Sequence, residues 1–194
     1  MKKTGILILA VVFITMSFTN KITTIQNTLN VDVSSSTITW KGYKPTGSHT
    51  GTIMLKSGTL TMEDEYIIGG SFTADMSTIK DEDGSERLEG HLKNEDFFEI
   101  ETYPTAKFDI TEVEMEDGNA TITGNMTIKG ITKEISFEAE ISETDETVTL
   151  SSSVFQINRA DFNVKYKSKT FFNDLKDKFV NDEFDLQVAL VANK

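Results

Sequence analysis

His49 and His91 are the only imidazoles in the chain, and they lie far apart in the sequence. A zinc site with three protein ligands would need carboxylates that the sequence does not place beside either one. The acid pairs Glu63/Asp64, Glu95/Asp96 and Asp182/Glu183 have the side chains for general acid–base work. In a chain of formal charge −12, neighbouring acids on turns read more simply as solvating charge. There is no G-x-S-x-G elbow, no H-E-x-x-H and no glycine-rich phosphate loop. The absence of cysteine removes disulfides, thiolate metal sites, a cysteine nucleophile and a lipoprotein anchor cysteine. The sequence therefore assigns no catalytic residue, no metal ligand and no cofactor, and it points away from an enzyme. The acidic balance also argues against nucleic acid as a partner, because phosphate tracking needs cationic surface.

The remaining polar candidates are binding groups. His91 sits beside Leu92 in a stretch that reads as helical, where it could tie that stretch into a polar network or meet a ligand headgroup. Arg159 and Asp161, two residues apart, could brace a connection through a salt bridge, or Arg159 could meet an anion. Lys165, Lys167 and Lys169 alternate around Tyr166. In an extended segment all three would share one face, which is either a solvated surface or a phosphate contact.

These groups must be positioned by a chain that is mostly β in pattern. Residues 1–19 carry Lys2 and Lys3, then the apolar run Gly5–Phe18, which is short for a membrane span and fits a signal-peptide core. The expectation is export to the periplasm or beyond, with no stable membrane insertion after cleavage. Residues 20–30 are rich in Thr and Asn and read as a linker, leaving 31–194 as one domain. Alternation then predicts about eight antiparallel strands. Asn119–Ile128 is the clearest, with Ala120, Ile122, Gly124, Met126 and Ile128 on one face. Small inward residues (Gly70, Ala74, Ala120, Gly124, Ala139) would leave room for a cavity. Parity changes predict bulges near Ser57–Gly58 and between Ile110 and Val113, and tight turns at Asp117-Gly118 and Lys129-Gly130. Ile67–Met76 is read with Ile68 on the inner face.

Two stretches break the alternation. In Arg87–Ile110, Leu88 and Leu92 stand one helical turn apart, Asn94 could cap a second turn, and Phe97-Phe98 precede Pro104. This predicts a lid that lays aromatics on the β structure. In Asn158–Asp182, Phe171, Leu175 and Phe179 recur every four residues after Ser168, which predicts a second short amphipathic helix. The fold class expected is all-β: an eight-stranded antiparallel barrel with two short helices in its long connections.

The string GHLKNEDFFEIETYPTAKF (Gly90–Phe108) resembles the signature of the YceI-like family of lipocalin-like barrels. GNMTIKGITKEISF (Gly124–Phe137) and FQINRADFNVKY (Phe155–Tyr166) are similar to its second and third motifs, in the same order. The likeness spans Leu29–Asn193 and departs at Trp40-Lys41-Gly42-Tyr43, at Thr50-Gly51-Thr52 and at SKTFFNDLKDKF. It implies an elongated apolar cavity holding an isoprenoid lipid, such as a quinone tail or a polyprenyl phosphate. On that reading the lining is Trp40, Ile53, Phe72, Phe97, Phe98, Phe108, Ile122, Met126, Phe137 and Phe155. The headgroup candidates are His91, Arg159, Asp161, Lys165, Lys167 and Lys169. A filled structural or stress barrel without a lipid, or a hydrolase acting on an apolar substrate, are the other readings. The sequence leaves a homodimer open.

Overall fold

The computed structural model describes residues 25–116 and 119–194. Ten strands follow in order: β1 Gln26–Val31, β2 Thr37–Lys44, β3 Gly47–Glu63, β4 Tyr66–Asp81, β5 Thr105–Glu116, β6 Asn119–Ile128, β7 Ile131–Glu143, β8 Thr147–Ser152, β9 Phe155–Asn158 and β10 Glu183–Asn193. Helix α1, Glu86–Lys93, lies between β4 and β5, and a 3-10 turn, Arg159–Phe162, follows β9. All strand pairs are antiparallel.

The pairings close on themselves. β10 meets β2 along one edge and β8 along the other, so β10-β2-β3-β4-β5-β6-β7-β8 is a ring of eight. Two positions in that ring are shared. β1 fills the length of the slot between β3 and β10 that β2 leaves, pairing with Thr59–Glu63 and with Ala192–Asn193. β9 likewise continues the line of β8 along Glu183–Leu186. Closure through β8 and β10 removes the edge there, while toward the lid β9 pairs only with β10 and the first half of β7 only with β6.

β1 corrects the linker reading for residues 26–30. Its polar side chains are exposed and only Val31 is buried, so the strand is held by ladder hydrogen bonds that leave little apolar signal. The proposed signal peptide and the Asp117-Gly118 turn lie outside the described residues. The Lys129-Gly130 turn is present, with both residues at positive φ (49° and 71°), the geometry of a two-residue hairpin loop. Register shifts stand at Leu55/Ser57 and Ile110/Glu112, where the sequence parity changes. Of two further shifts, at Thr52/Met54 and Thr61/Met62, the second turns Ile67 inward at 4 % exposure and Ile68 outward at 39 %. Ile68 is therefore a surface residue and not an inner one.

Of the small residues expected to leave room, Ala74 alone borders the cavity described below. A Cβ on Gly124 would stand 2.5 Å from the Asp109 carbonyl and 2.6 Å from the Phe108 ring. Gly124 thus admits the ring, which occupies the space the glycine frees. Ala120 faces Ala139, and Val148 faces Ala192, where the barrel end is packed solid with Leu60, Met62 and Ile67.

Candidate functional site: a lidded apolar cavity

Above that packed end lies a cavity of about 360 Å³. Its wall is built by inward side chains of successive strands: Trp40 from β2, Ile53 from β3, Phe72 from β4, Phe108 from β5, Ile122 and Met126 from β6, Phe137 from β7 and Phe155 from β9. Strand period two places each of them inward, and the ring brings them together. Phe137 stacks on Phe155 with centroids 4.3 Å apart and meets Phe108 at 5.5 Å, while Leu150 and Leu190 complete the lower wall. Phe97 and Phe98 close the roof, so all ten residues that the sequence nominated for the lining border this one space. Met76, Ile79, Leu186 and Tyr166 also line it and were not nominated. Met76 and Leu186 were legible as apolar alternating residues, Ile79 turns inward only after the register shift at Thr52/Met54, and Tyr166 reaches the cavity only through the fold of its loop.

The roof has two parts. α1 is capped by Ser85, whose hydroxyl accepts the Leu88 amide, and it turns Leu92 and Glu89 inward. Beyond it the chain does not make the second helical turn expected at Asn94. Asn94 ends α1, and its side chain accepts the Asp96 amide in a tight turn that delivers Phe97 to the cavity. Tyr103 then packs over Gly130 of the β6–β7 hairpin, and Lys129 contacts Glu99 at 3.3 Å.

The second part is the connection from β9 to β10. No helix forms at Phe171–Phe179; the segment is a series of turns, and Lys167 and Lys176 both adopt positive φ. Ser168 is fully buried and caps a single turn, accepting the Thr170 amide at its hydroxyl while its carbonyl accepts the Phe172 amide. Arg159 organises the segment instead. Its guanidinium donates to the carbonyls of Asn181 (2.9 Å), Val164 (2.7 Å) and Val180 (3.0 Å) and lies 3.3 Å from Asp182. Arg159 is buried at 4 % exposure, and burial pulls its pKa below the ordinary value against the opposing charges of Asp182 and Glu183. Burial would raise the Asp182 carboxyl, but hydrogen bonds from Ser168 and Thr170 and the charge of Arg159 outweigh it and hold it below the usual range.

The expected Arg159–Asp161 bridge is therefore replaced by Arg159–Asp182. In the 3-10 turn Arg159 points inward while Asp161 is exposed. The three lysines do not share a face, because the segment is not extended. Lys165 lies over Phe171, Lys167 over Tyr166 and Lys169 over Phe179. Lys167 borders both the cavity and a neighbouring surface cleft, which Lys165 lines as well together with Phe172 and Leu175, while Lys169 borders neither. His91 joins the two parts of the roof. Its ring meets Phe97 at 5.1 Å and Tyr166 at 4.3 Å, edge to face, and its Nε2 lies 3.4 Å from Asp96.

Polar groups collect at the rim: Tyr43, Lys44, His49, Lys107, Lys167 and Asn181. Within the cavity wall the Trp40 indole N–H is buried without a hydrogen-bond partner. Such a wall can sequester an apolar chain, the rim can hold a polar end, and the indole can donate one hydrogen bond.

The model of the YceI-like domain family matches residues 29–192. Among curated relatives, a UPF0312 protein of Photorhabdus laumondii is 39 % identical over 85 residues, covering 37 % of this chain and 44 % of that protein. Protein YceI of Escherichia coli is 28 % identical over 120 residues, 59 % of this chain and 63 % of that one. The alignments thus span about half of these relatives' length. Among solved structures, BcnA of Burkholderia cenocepacia superposes with a TM-score of 0.70 at 22 % identity, covering 84 % of this chain and 99 % of that one. A polyisoprenoid binding domain from Saccharophagus degradans, implicated in plant cell wall breakdown, gives a TM-score of 0.67 at 15 % identity, covering 84 % of this chain and 97 % of that one. At these identities the superpositions establish the fold, and the family-model match over most of the chain shows that this chain belongs to the YceI-like domain family.

Proposed function

We propose that the protein binds an isoprenoid, or a similar long-chain amphiphile, with its tail in the barrel, as a non-catalytic periplasmic carrier or scavenger. The observation that carries this is the lidded cavity of about 360 Å³, walled almost wholly by apolar and aromatic side chains in a chain of charge −12. Its volume lies at the small end of the about 300–1,000 Å³ that small-molecule sites span. A buried five-carbon unit contributes roughly 3 kcal/mol gross, at about 0.8 kcal/mol per methylene. Association itself costs about 4–15 kcal/mol, so several units are needed before binding is net favourable. An exposed headgroup salt bridge adds about 0–1 kcal/mol, so tail length sets affinity and the rim sets headgroup preference. The solved polyisoprenoid binding domain of the same fold supports the reading, and the apolar run Gly5–Phe18 supports export. The test is organic extraction of protein purified from its native host, followed by lipid mass spectrometry and intact-mass measurement. A stoichiometric long-chain amphiphile on a chain shortened by about nineteen residues is expected. Repeated recovery of protein with no apolar ligand would refute the carrier role, and a full-length mass would refute cleavage.

A further inference from the structure

At the cavity rim, groups from two distant parts of the sequence are brought together. His49 lies near the start of β3 and Asp81 at the end of β4, adjacent in the sheet because Gly51 pairs with Asp81. The chain then turns sharply. The Gly84 amide donates to the Asp81 carbonyl, Gly84 takes a φ of +70°, and this folds the Asp83 carboxylate back over Asp81. One nitrogen of His49 and one oxygen from each aspartate lie within 4.8 Å of one another.

Two of these atoms are in an unusual state. His49 Nδ1 and Asp81 Oδ1 are both sealed from solvent, and neither has a hydrogen-bond partner. They stand 3.4 Å apart, and the Asp81 side chain is only 1 % exposed. A charge-assisted hydrogen bond would draw such a pair to about 2.7–2.9 Å. Two ligands each about 2.1 Å from one tetrahedral ion stand about 3.4 Å apart. The other Asp81 oxygen accepts the Ser85 amide at 3.1 Å, which orients the carboxylate and leaves Oδ1 aimed at the imidazole. Glu89 accepts the Asp81 amide and pairs with Lys80 at 2.9 Å, so it is committed elsewhere.

We propose that His49, Asp81 and Asp83 form a binding site for a divalent transition-metal ion, with zinc as the representative. One imidazole and two carboxylates match borderline first-row cations better than calcium, which takes 6–8 oxygens. Two aspartates neutralise the ion's charge, and a fourth position is left to water. Lys44 Nζ lies 3.2 Å from His49 Nε2, but this lysine is exposed and can swing aside when Nδ1 takes the metal and Nε2 its proton. Because Asp83 belongs to the loop that leads into α1, the ion would fasten the root of the roof helix to the barrel rim.

The test uses the full chain without a polyhistidine tag, stripped with a chelator and titrated with zinc chloride against a chromophoric competitor. One ion per chain is expected, with His49→Gln and Asp83→Asn each weakening binding by at least about tenfold. His49 is half-buried at the rim and Asp83 exposed on the loop beside it, so these variants are expected to fold, which unchanged melting temperatures would verify. His91→Gln, at the other imidazole, is expected to bind as the parent does. No saturable one-to-one binding, parent-like binding by either rim variant, or loss in His91→Gln would overturn the site.

Discussion

The Trp40 indole illustrates what one side chain can decide. Its N–H is buried beside the cavity with no partner, a state that costs free energy unless a ligand acceptor meets it. Trp40→Phe keeps the aromatic wall and removes the donor. We expect it to leave affinity for a pure hydrocarbon chain within about twofold and to weaken a quinone-type carbonyl ligand by about 1 kcal/mol, roughly fivefold, in parallel titrations. Equal effects on both ligands would show that the indole only fills space. Individual residues were legible in the sequence where their role follows from alternation. Phe72, Ile122 and Phe137 point inward because strand period two leaves no other choice. Polar partnerships were not legible. Asp182 and Arg159 are joined through a folded connection, and His49 and Asp81 through sheet register, neither of which spacing reveals.

At the scale of elements, the sequence overstated the second connection and understated the first strand. Phe171, Leu175 and Phe179 have helical spacing, but Thr170, Phe171 and Phe172 are poor helix formers and Lys176 sits at positive φ. Arg159 takes the carbonyls of Val164, Val180 and Asn181, which flank the segment and clasp its two ends together. That clasp makes a stability prediction. Asp182→Asn leaves a buried guanidinium without its nearest countercharge and is expected to destabilise the fold by about 3 kcal/mol in denaturant melts near neutral pH. The Asp182 carboxyl is held below its ordinary range in the folded chain, so its contribution is present above the unfolded value of about 3.9 and is lost as pH falls through the folded one. The gap between parent and variant should therefore narrow as pH drops below about 4. A gap that stays constant down to pH 2 would show that the lost charge is not its source. β1 was hidden for the opposite reason: a strand that joins by backbone hydrogen bonds and buries one residue carries almost no hydropathy pattern.

For the molecule as a whole, ring closure was legible only as a preference, since eight alternating strands also suit a sandwich. The pairing of β8 with β10 decides it. No described helix is long and apolar enough to cross a membrane. If cargo occupies the barrel, its removal should cost folding free energy by mass action: about 2.7 kcal/mol at a hundredfold excess over Kd, or roughly 5–10 °C of melting temperature for a chain of this size. Differential scanning calorimetry before and after solvent extraction measures this, and coincident melts would argue that the hollow needs no occupant. The plugged end, where Ala120 meets Ala139 and Val148 meets Ala192, has one more implication. A vessel stoppered at its base has a single door, so the amphiphile proposed above would go in tail foremost and its polar tip would stay at the threshold. A recipient could then seize the cargo by that tip and draw it out by the way it came in.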